Sequence, residues 1–313
     1  MKRKLNTEKY GYILTEKQTL STCSIAVKKP KIRKILKEKV IKECICVNKS
    51  NYKPVISNLH YSYSRLIGIA TSISIEIICD IYRHKKYTGK FEKEIAGMMA
   101  CETELDLKYY CKYEHHRDIV LDFKHHPGRV QMHTLENTFR YALYMAIFES
   151  IYRGEDANNI FSIDESMYPY IIDEVRKICK VVYMDLITAN KESIKTSFLG
   201  NPIFGTRYSG IRGDGDIMIG NALYDLKTKK SSEPLENDIC QLALYYLLSR
   251  SKRILKSNLH LEITQEDLVN KMYIYNTRHG NTYEVKVNKL SGKEVDEIMA
   301  EIYEVLKMDF SKR

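Results

Sequence analysis

Several features that announce a function in other chains are missing here. Eight cysteines occur in 313 residues, yet none forms a C-x-x-C pair. Paired-thiolate zinc sites and iron–sulfur centres therefore lack their usual spacing. Cys44-x-Cys46 reads as incidental, and reduced thiols fit a cytoplasmic protein. Long apolar runs are also absent. The longest stretch, Leu66 to Ile81, is broken by Ser72, Ser74, Glu76 and Asp80, too short and too polar to span a bilayer. The opening MKRKLNTEKYGYILTEKQ has charge but no apolar segment after it, which predicts no secretory signal. Between Lys90 and Asn190 there is neither low complexity nor an internal repeat. Acidic residues are outnumbered, 40 against 50 basic, leaving a net charge of +10 and a pI near 9.0. Such an excess supports a polyanionic partner.

What is present centres on one stretch, Gly213 to Lys230, GDGDIMIGNALYDLKTKK. The apolar runs Ile217-Met218-Ile219 and Ala222-Leu223-Tyr224 flank Gly220-Asn221, a two-residue link that predicts an antiparallel hairpin. Asp216 opens the first strand. Asp225 and Lys227 lie near the end of the second, one residue apart and so on one strand face. Traced round the turn, Asp216 and Asp225 fall at neighbouring strand ends, so two carboxylates and an ammonium converge. Two hard oxygen ligands with room for water suit Mg²⁺ or Mn²⁺ better than zinc. Beside such a metal, a lysine can orient the attacking water or stabilise developing negative charge, which is the chemistry of phosphodiester hydrolysis. A bare D-x-K triplet would read as a solvated surface hairpin, so the neighbouring segments decide the matter.

A dozen residues on, Glu236 to Arg250 places Ile239, Leu242, Ala243, Tyr246 and Leu247 at helical spacing. Gln241 and Tyr245, four apart, share one face of that helix. Lys271 to Asn281, KMYIYNTRHGN, reads as another strand ending in a turn at Arg278-His279-Gly280-Asn281, and Lys293 to Met308 as an amphipathic closing helix.

This order of hairpin, D-x-K, Q-x-x-x-Y helix and strand resembles the core of the PD-(D/E)xK nuclease superfamily in its RecB-like branch. NPIF (Asn201 to Phe204) and RGDGDIMIGNALYDLKTKK further resemble uncharacterised bacterial members. By that resemblance Asp216 and Asp225 are the metal-binding acids, Lys227 the catalytic lysine, and Gln241 with Tyr245 the helix motif, Gln241 positioning Lys227 or the nucleic-acid strand. Gly215 stands where the name-giving Pro would be. Upstream, a helix beginning around Ser64 to Gly68 carries Ser72 where the family has a His or acid, so the upstream acid falls to Glu76, Glu149 or Glu174. For Glu149 and Glu174 a helix-surface pairing with Arg153 or Lys177 is the competing role. Arg207, Arg212, Lys229, Lys230 and Tyr245 are candidate nucleic-acid contacts. The pairs His115-His116 and His125-His126, with His133, read as loop or surface histidines ahead of a zinc site.

The expected architecture is an α/β restriction-endonuclease-like core, a mixed sheet flanked by helices. Its divisions are a basic N-terminal extension (1–50), a mainly helical region packed on the core (51–195) and the nuclease core (196–313). Within the extension, Lys28 to Lys42 alternates basic and apolar residues, as a solvated helix face or strand edge would. The expected activity is a Mg²⁺- or Mn²⁺-dependent nuclease acting on nucleic acid, DNA ahead of RNA, in defence against foreign DNA or in repair. The alternatives are a catalytically silent nucleic-acid-binding module and an RNA-directed nuclease. A homo-oligomer or a partner protein stays open.

Overall fold

The structure, a computed structural model, describes residues 22–84, 115, 132–152, 164–205, 211–251 and 269–306. At its centre is a six-stranded mixed sheet, with strands β1 (Ile41–Asn48), β2 (Phe198–Gly200), β5 (Ile217–Ile219), β6 (Ala222–Lys227), β7 (Lys271–Asn276) and β8 (Asn281–Val287) in the order β1-β8-β7-β6-β5-β2. Every neighbouring pair is antiparallel except β6 with β7. That parallel step requires a crossover, and α7 (Glu236–Arg250) lies on it. A separate two-stranded ribbon pairs β3 (Ile203–Gly205) with β4 (Arg212–Asp214).

The hairpin forms where the turn chemistry predicts it. Ile219 pairs with Ala222 and Ile217 with Tyr224, and Gly220 adopts φ +56°, which a side chain would resist. Its alternation sorts side chains between two cores. Ile217, Ile219, Tyr224 and Leu226 join a cluster with α3 (Ser64–His84), α4 (Met132–Tyr152), α5 (Tyr168–Val182) and Ile194 of α6 (Lys191–Thr196). Met218 and Leu223 join the opposite cluster, with α1 (Thr22–Ala26), α2 (Pro30–Ile35), α7 and α8 (Gly292–Leu306). Helices thus cover both faces, and the middle strands read as continuous apolar runs.

The N-terminal part belongs to this framework. Cys23, Ala26, Val27, Ile32, Leu36 and Val40 are buried against α7 and its neighbours, and β1 is an edge strand on β8. The basic residues between them stay outward, so the alternation over Lys28 to Lys42 marks a helix and π-type turn with one buried side. No helix among the described residues is long and apolar enough to cross a membrane.

Candidate functional site

Hairpin register carries the two acids together. One step beyond the Ile217–Tyr224 pair, Asp216 comes beside Asp225 and Leu226, and its Oδ2 accepts the Leu226 N–H at 2.7 Å. Its other oxygen accepts from Ser72 Oγ, on α3, at 2.9 Å. Asp216 is therefore fixed by two elements at once. Asp225 is buried, and its Oδ2 lies 2.7 Å from Lys227 Nζ without a well-angled hydrogen bond, so that contact is chiefly coulombic.

A third carboxylate completes the cluster. Asp238, in the first turn of α7, accepts the Leu235 N–H at 2.9 Å, half of a capping box. The same side chain pairs with Lys229 and stands 3.8 Å from Lys227 Nζ. Sequence reasoning missed it. The available signal was an acid at the third position of a helix just downstream of a D-x-K strand, a place where caps and active-site partners are drawn from the same residue types.

Three carboxylates now face two ammonium groups. Burial raises the Asp225 pKa to about 6, with Asp216 and Asp238 adding to the rise and Lys227 opposing it. For Lys227, burial works against the charge, but Asp225, Asp216 and Asp238 outweigh it and hold the ammonium well above its ordinary pKa. Lys227 stays charged, and negative charge remains in excess. Asp216 and Asp225 are hard oxygen donors, with Asp225 Oδ2 held against the Lys227 ammonium. The donor chemistry fits Mg²⁺ or Mn²⁺. Among the described residues no group of three or more His, Cys, Asp or Glu side chains gathers at metal-ligand spacing, so protein donors would be few and water would fill the shell.

The upstream acids separate clearly. Glu76 is buried one turn beyond Ser72 on α3, its Oε1 3.4 Å from the Ser72 Oγ whose single proton goes to Asp216. Glu149 is buried within α4. Glu174 corrects the surface expectation: it is buried and paired with Arg278, with Ser57 Oγ donating to it at 2.7 Å, while Lys177 turns to Asp173 at 2.6 Å. Glu174 is thus engaged in holding α5 to the β7–β8 turn.

Gln241 and Tyr245 share a face as expected, but they serve each other. Gln241 Nε2 donates to the Tyr245 hydroxyl, which donates to the Asp214 carbonyl at 3.0 Å. Tyr245 is fully buried, stacked on Phe204 with ring centroids 5.1 Å apart, and presents no surface to nucleic acid. Gly213 is required here, because any Cβ would run into the Tyr245 ring and Cys23 Sγ. The motif helix therefore braces the turn that leads into Asp216.

Among the basic candidates, Arg212 is half-buried and paired with Asp214 at 3.2 Å, Lys229 is paired with Asp238, and Lys230 is exposed. Arg207 lies outside the described residues, as do Arg153 and, apart from an exposed His115, the side chains of the histidine group.

Compared with known proteins, the chain matches no family model, no curated protein and no solved structure at a significant level. What the coordinates define is a mixed α/β protein whose six-stranded mixed sheet is flanked by helices.

Proposed function

We propose that the chain is a divalent-metal-dependent nuclease that hydrolyses phosphodiester bonds by direct attack of water, on DNA ahead of RNA. The supporting observation is the convergence of Asp216, Asp225 and Lys227 at one hairpin end, with more negative charge than the local lysines neutralise. In this reading Asp216 and Asp225 hold the cation, and Ser72 and the Leu226 N–H keep Asp216 aimed. When bound, Mg²⁺ or Mn²⁺ would polarise a phosphoryl oxygen and acidify its water. Lys227, kept protonated by its neighbours, stabilises charge that develops on the phosphoryl oxygens. Asp238 offers Lys227 a second anchor beside Asp225 and is a positioning residue. Glu76 is the upstream acid best placed to join the site through Ser72.

One observation favours a second reading. Ser72 occupies the position of the expected upstream ligand and spends its hydroxyl on Asp216, as a silent nucleic-acid-binding module would allow. Incubating purified protein with supercoiled plasmid, linear duplex and single-stranded DNA in Mg²⁺, Mn²⁺ or EDTA separates the two. Metal-dependent cutting that disappears in Asp225→Ala is the expected result. Metal-independent binding without cutting would replace the nuclease by the silent module.

A further inference from the structure

Residues 49–65, KSNYKPVISNLHYSYSR, carry Lys49, Lys53 and Arg65, three tyrosines and no acid at all, in a chain with 40 acidic residues elsewhere. The segment is built onto the sheet. Val55 N–H donates to the Arg278 carbonyl at 2.9 Å, the Arg278 guanidinium returns a bond to the Val55 carbonyl at 3.1 Å, and Ser57 Oγ reaches Glu174. Val55, Leu59 and Tyr63 pack against the core, while other large side chains turn outward: Tyr61 is 76% exposed, Ile56 81% and Tyr52 42%. The His60 and Tyr61 rings lie with centroids 4.2 Å apart, and His60 Nδ1 is pinned to Ser62 Oγ at 2.8 Å.

Position ties this surface to the acid cluster. Thr277, just before Arg278, donates its N–H to the Lys227 carbonyl at 3.1 Å, so the anchor of the segment adjoins the strand end that bears the lysine. Tyr61 lies in the turn (Tyr61–Tyr63) that opens α3, and Ser72, the partner of Asp216, follows on that helix. From Ser64 to Ser72 the helix rises about 12 Å. On the same edge Lys230 is exposed, with its carbonyl 2.9 Å from His279 Nε2.

We infer that residues 49–65 form a stacking platform for single-stranded nucleic acid, in which the His60–Tyr61 ring pair takes base faces while Lys49, Lys53 and Lys230 take phosphates. The inference rests on the nuclease reading for its ligand class. Exposed rings on a segment whose own charged side chains are all basic complement a polyanion whose bases are free to stack, whereas a duplex keeps its base faces to itself. A strand laid over the rings reaches the Asp216 end within a few nucleotides, at the stacked rise of about 3.4 Å each.

Fluorescence anisotropy of the full chain in EDTA, with a single-stranded 20-mer and a duplex of the same length, tests this without cleavage. Tyr61→Ala is expected to weaken single-strand binding about tenfold and duplex binding by less than about twofold. Tyr61→Phe, which keeps the ring face, is expected to bind as the wild type does. Equal single-strand binding by wild type and Tyr61→Ala overturns the platform, whatever the plasmid assay shows. Wild-type protein that binds neither form leaves the rings to a protein partner and also overturns it. Loss of single-strand binding in Tyr61→Ala, from a wild type that cuts nothing in Mg²⁺ or Mn²⁺, would keep the platform and remove the nuclease.

Discussion

Two buried acids in this protein, Glu174 and Asp225, each face a basic side chain, and their surroundings differ in a way that separates scaffold from site. Glu174 has one guanidinium partner, Arg278, and a donated hydroxyl from Ser57, and Arg278 in turn bonds the Val55 carbonyl. That arrangement sets one carboxylate against one guanidinium, with only the Arg278 Nε lacking a hydrogen-bond partner among the described residues. Asp225 shares Lys227 with Asp238, stands beside Asp216, and lacks a well-angled hydrogen bond at the oxygen nearest the lysine. Burial, with crowding by like charges, raises the Asp225 pKa, while the Glu174 pair joins α5 to the β7–β8 turn. Burial of a charged residue alone says little; the balance of charge around it says what it is for.

The largest test of this contrast is catalytic. Asp225→Ala and Lys227→Ala are each expected to lower metal-dependent cleavage at least about a hundredfold per folded molecule, read from plasmid nicking. Glu174→Ala should behave oppositely. It strands the Arg278 guanidinium, so urea denaturation should show a loss of about 3–5 kcal/mol, with cleavage per folded molecule retained. Equal effects of the two kinds of substitution on activity would dissolve the distinction.

A third outcome concerns pH. The Asp225 pKa is about 6 in the folded chain against 3.8 ordinarily, so the native state holds this proton more tightly than the unfolded one. Stability therefore falls as pH rises through that window and stays lower above it. Asp225→Asn should remove the penalty, stabilising the protein by roughly 1–3 kcal/mol at pH 7, with the gain fading as pH falls from about 6 towards 3.8. Added Mg²⁺ should raise the wild-type melting temperature and leave that of Asp225→Asn unchanged. A destabilised Asp225→Asn would mean that Asp225, like Glu174, belongs to the scaffold.

Smaller effects sharpen the picture. Asp238→Asn should lower kcat about tenfold with KM kept, and Asp238→Glu should restore part of it, since Lys227 loses or regains its second anchor. Tyr245→Phe removes the hydroxyl bonded to the Asp214 carbonyl and should cost about 1 kcal/mol of stability, measured by thermal melting, with a modest change in turnover.

Much of the central region was legible because its signals are local. Gly220-Asn221 between two apolar runs defines the hairpin and its register, and the 3.6-residue spacing from Ile239 to Leu247 defines α7. Strand β1 was not legible. Its IKECICVN residues are half-buried or exposed and none is fully buried, as an edge strand's can be, and its partner β8 lies more than two hundred residues away. Tyr245 was misjudged because spacing reports which residues share a face and not what covers that face; α7 lies under α1 and β3, with apolar side chains on most of its circumference. Glu174 was misjudged for a related reason. Lys177 stood three residues on as a local partner, but the helix gives Lys177 to Asp173 and turns Glu174 inward to a residue 104 positions away.

By itself the sequence determined that Asp216, Asp225 and Lys227 meet, because a two-residue turn and a period of two leave the hairpin no other register. Only the tertiary structure decided what surrounds them. Ser72, from 144 residues upstream, and Asp238, from the next helix, reach the cluster because two cores form on opposite faces of one sheet and press α3 and α7 against the same strand ends. Convergence of that kind depends on how apolar surfaces pack over long separations, and no local spacing encodes it.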